Sequence, residues 1–267
     1  MSVFIDVGHG GSDSGAVHGN HVEKLYNLDT ALACKKELEK YGEKVIMSRT
    51  GDKYLSLNER CSMANKSGCS LFVSIHHNSG GGDRGEVIYS INEGKGKTLA
   101  HNIAKEMKDM GQTTVQEYSR KSEKTGKDYY AVIRGTNMPA VIVEVCFLDN
   151  SKDVQIADTL AERQRNGREI AHGILKYLGK NVDEKKSADE LIVYGNEVDK
   201  IAAEILHWKK QKSLLVNVDT ARSYTAKNII AVGGIAAKAF PNAKKLVGDD
   251  RYETVKKVSE FIDTLQK

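Results

Sequence analysis

Short apolar runs alternate with amphipathic stretches along the first two thirds of the chain. Runs rich in β-branched residues predict buried strands, and apolar positions that recur every three or four residues predict helices. The predicted strands are Val3–Val7, Glu43–Arg49, Leu71–His76, Gly85–Ser90, Asp128–Ile133 and Ala140–Leu148. The predicted helices are Glu23–Lys40, Ser56–Lys66, Lys97–Met110 and Asp153–Leu178. This alternation predicts an α/β fold in which a mostly parallel or mixed sheet carries helices on both faces.

Local signals sharpen two of these elements. Ser56, followed three residues later by Glu59, forms a capping-box pattern that predicts the start of the second helix. The run Ala140–Leu148 is almost continuously apolar, which is typical of a strand in the middle of a sheet.

A second and smaller alternation follows. Residues 180–190 are highly charged and contain no large apolar residue apart from Val182, so we interpret them as a linker. Beyond them, the predicted strands are Leu191–Tyr194, Ser213–Val218 and Asn228–Gly234, and the predicted helices are Val198–Trp208 and Arg251–Leu265. The sequence thus predicts one domain at 1–179 and a smaller α/β domain at 191–267, whose length is near the lower limit for independent stability.

Composition narrows the class of protein. An apolar content of 40% beside 28% charged residues indicates a globular protein, and no apolar run is long enough to cross a membrane. The net charge of +4 is modest and nearly even between the two predicted domains, which argues against nucleic-acid binding. The N-terminal MSVFIDVGHG has no basic segment and leads straight into a glycine turn, so we expect no signal peptide and synthesis in the cytoplasm. The four cysteines form no CxxC pair, and we expect them to be free thiols.

Histidines follow the ends of two predicted strands. His9 lies between glycines directly after the first strand, and His76 and His77 come at the end of LFVSIHH. Because open α/β sheets bind ligands at the carboxyl ends of their strands, these histidines are candidate metal ligands. Neighbouring strand residues point to opposite faces, so at most one of His76 and His77 can share a site with His9. His18 and His21 are alternative ligands, and spacing alone does not choose between them and His9.

Two carboxylates complete the candidate chemistry. Glu144 is the one acid in the central apolar strand, where burial costs several kcal/mol unless the group is paired or meets a metal or water. An ion pair with a buried arginine is the structural alternative. Glu23 begins the first helix and could reach the same cleft. Two histidines and one carboxylate with an open fourth position are a catalytic zinc set, and a nearby carboxylate such as Glu144 can act as the base.

Several motifs occur together in the first 180 residues. They are DVGHGGSDSGA around His9, Glu23, SRTGDKYLSLNER at 48–60, AN at 64–65, LFVSIHHNS at 71–79 and PAVIVEVCFLDN at 139–150. In this order, over residues 3 to about 178, they resemble the zinc-dependent N-acetylmuramoyl-L-alanine amidases of the type 3 family. The family pattern Ser-Ile-His-x-Asn puts the ligand at His76 and the variable position at His77.

The resemblance implies a site and a reaction. It implies Zn²⁺ bound by His9, Glu23 and His76, with Glu144 as catalytic acid and base. It implies hydrolysis of the amide between the lactyl group of muramic acid and the first L-alanine of the stem peptide. The chain departs from the family pattern at Val7, where proline is frequent, and His77 stands where a small residue is usual.

The second domain has a resemblance of its own. VGG at 232–234 and DDRYET at 249–254 look like a clostridial cell-wall-binding repeat, and the layout with VYGNEVDK at 193–200 resembles clostridial phage endolysins. We expect Asp250 to cap the last helix. The resemblance implies that this domain binds the clostridial wall and raises the local concentration of the enzyme there. Trp208, Tyr224 and Arg251 are candidate wall contacts, with core or capping roles as the alternative.

The leading interpretation is a phage or prophage endolysin, made in the host cytoplasm and acting on peptidoglycan after release. A mother-cell autolysin of a spore-former fits the same features. A zinc peptidase that cuts within the stem peptide and a wall-binding protein without catalysis are further alternatives, although the intact set of site residues argues against the last. The sequence leaves open whether the chain forms homo-oligomers. We expect Arg49 and Arg60 to be structural partners of acids such as Asp52 and Glu59, and Asn78 to orient a ligand or line the cleft.

Overall fold

The chain divides into two compact units, Met1–Val182 and Asp183–Lys267. The computed structural model describes residues 1–182, 186–210, 212–221 and 224–265. Within these ranges, no helix combines the length and the apolar character needed to cross a bilayer. All four cysteines are free, as expected.

The first unit is built on a six-stranded mixed sheet. In chain order, the strands of the unit are β1 Ser2–Val7, β2 Val17–His18, β3 His21–Val22, β4 Lys44–Met47, β5 Leu71–Asn78, β6 Gly85–Tyr89, β7 Val115–Ser119 and β8 Ala140–Phe147. The sheet order is β4-β1-β5-β8-β6-β7, and β2 and β3 form a separate short hairpin. Neighbours in the sheet are parallel except for β6 and β8, which are antiparallel. The prediction of a mostly parallel or mixed sheet is therefore confirmed.

Helices cover both faces of this sheet. They are α1 Glu23–Lys40, α2 Leu57–Ser67, α3 Gly94–Met107, α4 Ala131–Gly135 and α5 Leu160–Tyr177. Alternate residues of β1 point to opposite faces: Val3 and Ile5 join a core with α1, α3 and α5, whereas Phe4 joins a core with α2 and α4. The predicted capping box of α2 is present, with Ser56 accepting from the Glu59 amide.

The structure differs from the predicted elements in several places of this unit: the β2–β3 hairpin was not predicted, and α3 begins and ends three residues before the predicted Lys97–Met110. The predicted strand Asp128–Ile133 is wrong. Asp128 accepts hydrogen bonds from the Ser90 hydroxyl and the Ile91 amide. Val132 and Ile133 lie in the helix α4 and pack into the core from there. The strand β7 escaped prediction because it is a partly exposed edge strand without an apolar run. The predicted helix Asp153–Leu178 begins as a 3₁₀ turn, and α5 starts only after the capping residue Thr159.

The second unit contains a smaller, fully parallel sheet. Its strands are β9 Lys186–Tyr194, β10 Leu214–Asn217, β11 Tyr224–Val232 and β12 Lys244–Leu246, and its helices are α6 Glu197–Lys209, α7 Val218–Ala221, α8 Gly234–Ala239 and α9 Arg251–Thr264. The sheet order is β10-β9-β11-β12. Asp250 caps α9 as expected, since its side chain accepts from the Glu253 amide at 2.8 Å.

The segment predicted as a linker, residues 180–190, differs from that prediction over its second half. Residues 186–190 form the first part of β9, paired through the backbone with β11. Strand pairing needs backbone groups rather than large apolar side chains, and the acid Glu190 is matched by Lys210 at 2.7 Å. Residues 183–185 lie outside the described part of the chain.

Candidate metal centre and active site

Four candidate side chains meet at the carboxyl edge of the central strands. His9 follows β1, His76 lies near the end of β5, and Glu144 of β8 is the direct register partner of His76. Glu23 is the first residue of α1. The parallel pairing of β1, β5 and β8 brings these strand ends to one edge, which is the edge where α/β sheets bind ligands.

Three of these side chains form a compact donor set. His9 Nε2 lies 3.1 Å from Glu23 Oε2, and His76 Nδ1 lies 2.9 Å from Glu23 Oε1. One ligand atom of each residue lies within 4.8 Å of the other two. The Glu23 side chain is 6% exposed, while the two rings are 26% and 21% exposed and reachable from solvent. Two imidazoles and one carboxylate with an open side are the ligand types and number that a catalytic zinc site uses.

The negative charge of Glu23 and the positive charges of His9 and His76 favour the ionised form of one another. Burial on its own would raise the pKa of Glu23, but the hydrogen bonds and positive charges of His76 and His9 outweigh it and hold that pKa well below its usual range. Burial lowers the pKa of His76, yet its hydrogen bond to Glu23 and the nearby Glu144 raise it to about 9. The carboxylate therefore stays ionised and strongly favours a cation beside it. A metal ion that replaces the ring protons fits this donor set.

Glu144 stands beside this cluster as the register partner of His76. Its Oε2 atom is buried and has no hydrogen-bond partner in the described residues. Burial raises the pKa of Glu144 to about 7, and the nearby Glu23 and Glu86 add to this while His76 opposes it. No ion pair between Glu144 and an arginine occurs among the described residues, so the structural alternative has no support there. A carboxyl with a pKa near neutral can both accept and donate a proton at physiological pH.

Two buried arginines bond the backbone around His9. His9 has a φ of 56°, a left-handed conformation that non-glycine residues rarely adopt. Arg49 donates to the carbonyl oxygen of Gly8 at 2.8 Å, and Arg60 donates to that of His9 at 2.8 Å. Gly8 itself is required for space, because a Cβ there would collide with the ring of His76.

The partners of these arginines differ from the predicted ones. Arg60 pairs with the buried Asp6 at 2.8 Å instead of with Glu59, which caps α2. The side-chain bonds of Arg49 go to backbone carbonyls, and Asp52 pairs with Lys24 at 2.7 Å. The expectation of a structural role fits these contacts, but the role is to hold the loop of His9 rather than to neutralise nearby surface acids.

The remaining histidines lie outside the donor set. His18 is exposed on the hairpin, and His21 bonds to the hydroxyl of Tyr26 at 2.6 Å. His77 points to the opposite face of the sheet from His76, is 1% exposed, and burial lowers its pKa to about 3. Asn78 donates to Glu86 at 3.3 Å beside the cleft.

Sequence reasoning missed one buried polar residue next to the site. Asn27 is fully buried in α1 and donates to Glu23 Oε1 at 3.2 Å. The signal that could have found it is its position four residues after Glu23, which puts both side chains on one helix face.

A second group of metal-binding residue types joins α3 and α5. Glu106, Glu169 and His172 also bring one ligand atom each within 4.8 Å of the others. Lys176 lies 3.1 Å from Glu106, and His172 Nδ1 lies 3.3 Å from Glu169. Because these carboxylates already have cationic partners, we interpret the group as an ion-pair network.

Comparison with known proteins identifies the family. Residues 3–176 match the profile of Amidase_3, described as N-acetylmuramoyl-L-alanine amidase. The chain belongs to this family. Its first unit is therefore the catalytic part of an N-acetylmuramoyl-L-alanine amidase, and the predicted resemblance is confirmed at the level of the family.

Similar proteins occur in Bacillus and Clostridium. The sporulation-specific N-acetylmuramoyl-L-alanine amidase of Bacillus subtilis (strain 168) is 36% identical over 185 residues, which cover 66% of this chain and 70% of that protein. Cwp6 from Clostridium difficile is similar in structure, with a TM-score of 0.64 and 37% identity over 66% of this chain. The match spans only 29% of the Cwp6 chain.

A catalytic domain alone gives a similar fit. The catalytic domain of CwlV, an N-acetylmuramoyl-L-alanine amidase from Bacillus (Paenibacillus) polymyxa var. colistinus, has a TM-score of 0.59 and 32% identity. The match covers 67% of this chain and 99% of that domain. The α/β fold of the first unit is thus that of an amidase catalytic domain.

Proposed function

We propose that this amidase is zinc-dependent, with Zn²⁺ bound by His9, Glu23 and His76 and with Glu144 as the catalytic acid and base. Its substrate is peptidoglycan, and the bond cleaved joins N-acetylmuramic acid to L-alanine of the stem peptide. The observation that carries the proposal is the meeting of two imidazoles and an ionised carboxylate beside the unpaired carboxyl of Glu144. The family to which the chain belongs supports the same reaction.

In the mechanism, each residue has a separate task. Zinc, when bound, would polarise the scissile carbonyl and supply a nucleophile at neutral pH. His9, Glu23 and His76 would hold the ion, and Arg49 and Arg60 bond the backbone that keeps His9 in its left-handed conformation. Glu144 takes the proton of the attacking water on its unpaired Oε2 and delivers it to the nitrogen of the departing L-alanine.

The adjacent histidines of β5 give a direct test of the metal centre. We expect His76→Ala to lose both bound zinc and wall lysis, measured by metal content and turbidity after equilibration with excess zinc. His77→Ala should still take up zinc under these conditions, because its ring lies on the other face of the sheet. Zinc loss in His77→Ala alone would mean that the ligand set is wrong.

Product analysis distinguishes an amidase from a peptidase. Digested peptidoglycan should expose new amino groups on L-alanine, whereas a peptidase would expose them on inner residues of the stem. Glu144→Gln should keep its zinc and lose on the order of 10²–10⁴ in rate. Retained lysis by this variant would remove Glu144 from the mechanism.

We propose a phage or prophage endolysin as the biological role, with the second unit binding the clostridial wall. The VGG and DDRYET segments support wall binding, and the identity with Cwp6 supports a clostridial setting. As an endolysin, the protein would be made in the host cytoplasm and reach the wall after release. The identity with the sporulation-specific amidase favours the alternative of a mother-cell autolysin. The time at which the protein is produced distinguishes these two roles. An endolysin should be produced during phage induction, and a mother-cell autolysin during sporulation.

A further inference from the structure

We propose that Asn27 and His77 form a positioning pair that holds the carboxylate of Glu23 in the orientation that binds the metal. This inference rests on the zinc centre of the proposed function. Neither residue is a proposed ligand: the pair acts on the metal through the carboxylate of Glu23 and the backbone before His9. Asn27 and His77 are 0% and 1% exposed, so the pair is sealed beneath the site.

The side-chain contacts run from His77 through Asn27 to Glu23, and the backbone amide of His77 also donates to Glu23 Oε1, at 3.4 Å. His77 Nδ1 lies 2.8 Å from Asn27 Oδ1, and Asn27 Nδ2 lies 3.2 Å from Glu23 Oε1. The same Nδ2 donates to the carbonyl oxygen of Gly8 at 3.2 Å, in the loop of His9. Asn27 thus ties one ligand carboxylate to the backbone that precedes another ligand. Among the described residues, Asn27 is the side-chain donor to Glu23 besides the two candidate histidine ligands, and the backbone amide of Ala16 donates to the other oxygen, Oε2, at 2.8 Å.

The orientation of the Asn27 amide follows from its partners. Glu23 Oε1 and the Gly8 carbonyl can only accept hydrogen bonds, so the NH₂ end of Asn27 must face them. Its Oδ1 therefore faces His77, and Nδ1 of His77 must carry the hydrogen. A flipped amide would set Oδ1 against two other oxygens and leave His77 without an acceptor. His77 in this way fixes the amide, and the amide fixes Glu23.

The hydrogen bond from His77 to Asn27 leaves the other ring nitrogen of His77 unsatisfied. With the hydrogen on Nδ1, the Nε2 atom of His77 is a bare acceptor, and this buried atom has no hydrogen-bond partner in the part of the chain that the structure describes. An unsatisfied buried group of this kind is unfavourable, and an apolar residue of similar size would avoid it. The ring is nevertheless held in place by an edge-on contact with Tyr26, whose centroid is 5.5 Å away. A polar side chain kept at this cost is explained by what its Nδ1 does to Asn27.

The test measures zinc affinity of the full chain by competition with a chromophoric chelator. Removing a group that orients a ligand commonly weakens metal binding 10- to 100-fold. We expect this loss in Asn27→Ala, and also in Asn27→Asp, which still accepts from His77 but cannot donate to Glu23. We expect His77→Ala to weaken binding too, and His77→Gln, which restores a donor, to recover part of the loss.

The double variant Asn27→Ala/His77→Ala distinguishes a relay from two separate effects. Because His77 acts through Asn27, the double variant should bind zinc no more weakly than Asn27→Ala alone. Additive losses would overturn the relay.

Asn166→Ala is the matched control for loss of stability. Asn166 is also 0% exposed and bonds a backbone carbonyl, that of Ile156 at 2.9 Å, but it lies in α5 away from the donor set. The Asn166→Ala variant should lower the midpoint of thermal unfolding without changing the zinc affinity. Asn27 variants that bind zinc within twofold of the wild type would overturn the positioning role. A wild-type chain that binds no zinc would overturn the metal centre itself, and the pairing with it.

Discussion

A buried ion pair supports the loop of His9, one of the three proposed metal ligands. Arg60 and Asp6 are 3% and 1% exposed, and Asp6 also accepts from the hydroxyl of Ser74 at 2.7 Å. The remaining donors of Arg60 go to backbone carbonyls, including that of His9. Such a pair adds little net stability over apolar residues, but breaking it leaves a buried charge alone. The contribution of this ion pair is geometric, because Arg60 holds the backbone of His9 in its left-handed conformation, which the proposed metal centre requires.

Removal of Arg60 should lower the stability of the fold. Arg60→Met keeps the apolar part of the side chain but leaves the buried carboxylate of Asp6 without its ion-pair partner. The free energy of unfolding should therefore fall by about 3–5 kcal/mol in urea titrations. Asp6→Asn/Arg60→Met should recover part of this loss, because no buried charge is left. A loss below about 1 kcal/mol for Arg60→Met would show that water or another group compensates Asp6.

Elements with a strong local signal were the ones that sequence reasoning predicted well. The first helix was predicted with the observed bounds Glu23–Lys40, and the apolar run of β8 was recognised as a central strand. Helix α4 was taken for a strand because Val132 and Ile133 are β-branched and the segment is short, and only tertiary packing makes it helical. The same holds for the site: the strand ends predict where His9 and His76 meet. The position of Asn27, four residues after Glu23, puts both side chains on one helix face but does not by itself predict the hydrogen bond between them.

The packing of α1 against α5 leads to a prediction at the element scale. Gly167 lies inside α5, and a Cβ there would meet the backbone of α1 at the carbonyl oxygen of Thr30. Replacing glycine by alanine inside a helix normally stabilises by about 1 kcal/mol. Gly167→Ala should instead destabilise by about 1–3 kcal/mol, since two helix backbones must move apart. Thermal and urea unfolding measure the change.

Gly96 supplies the matched control. It also lies inside a helix, α3, but a Cβ there would meet nothing closer than the Ala140 carbonyl oxygen at 3.5 Å, an ordinary contact. Gly96→Ala should therefore leave the stability unchanged or raise it by up to about 1 kcal/mol. A shift of both variants in the same direction would contradict the close approach of α1 and α5.

The whole molecule joins two units that each have a core. The hydrophobic clusters of the described residues each draw their members from one unit, with those of the second unit built on β9 and β11. The family match ends at residue 176, inside the first unit. All the candidate catalytic residues also lie in that unit. This division predicts that the chemistry and the proposed wall attachment are separable, since attachment changes local concentration rather than the reaction.

Truncation to residues 1–182 tests this division of labour. The shortened chain should hydrolyse a soluble muramoyl-peptide within about twofold of the full chain, because its site and both of its main cores are intact. On intact clostridial walls it should act more slowly and fail to sediment with them, because the effective concentration is lost. Full-length Glu144→Gln is the complementary control, which should sediment with walls without lysing them. Equal lysis by the short and full chains would assign the second unit a role other than wall attachment, and circular dichroism verifies that the short chain is folded.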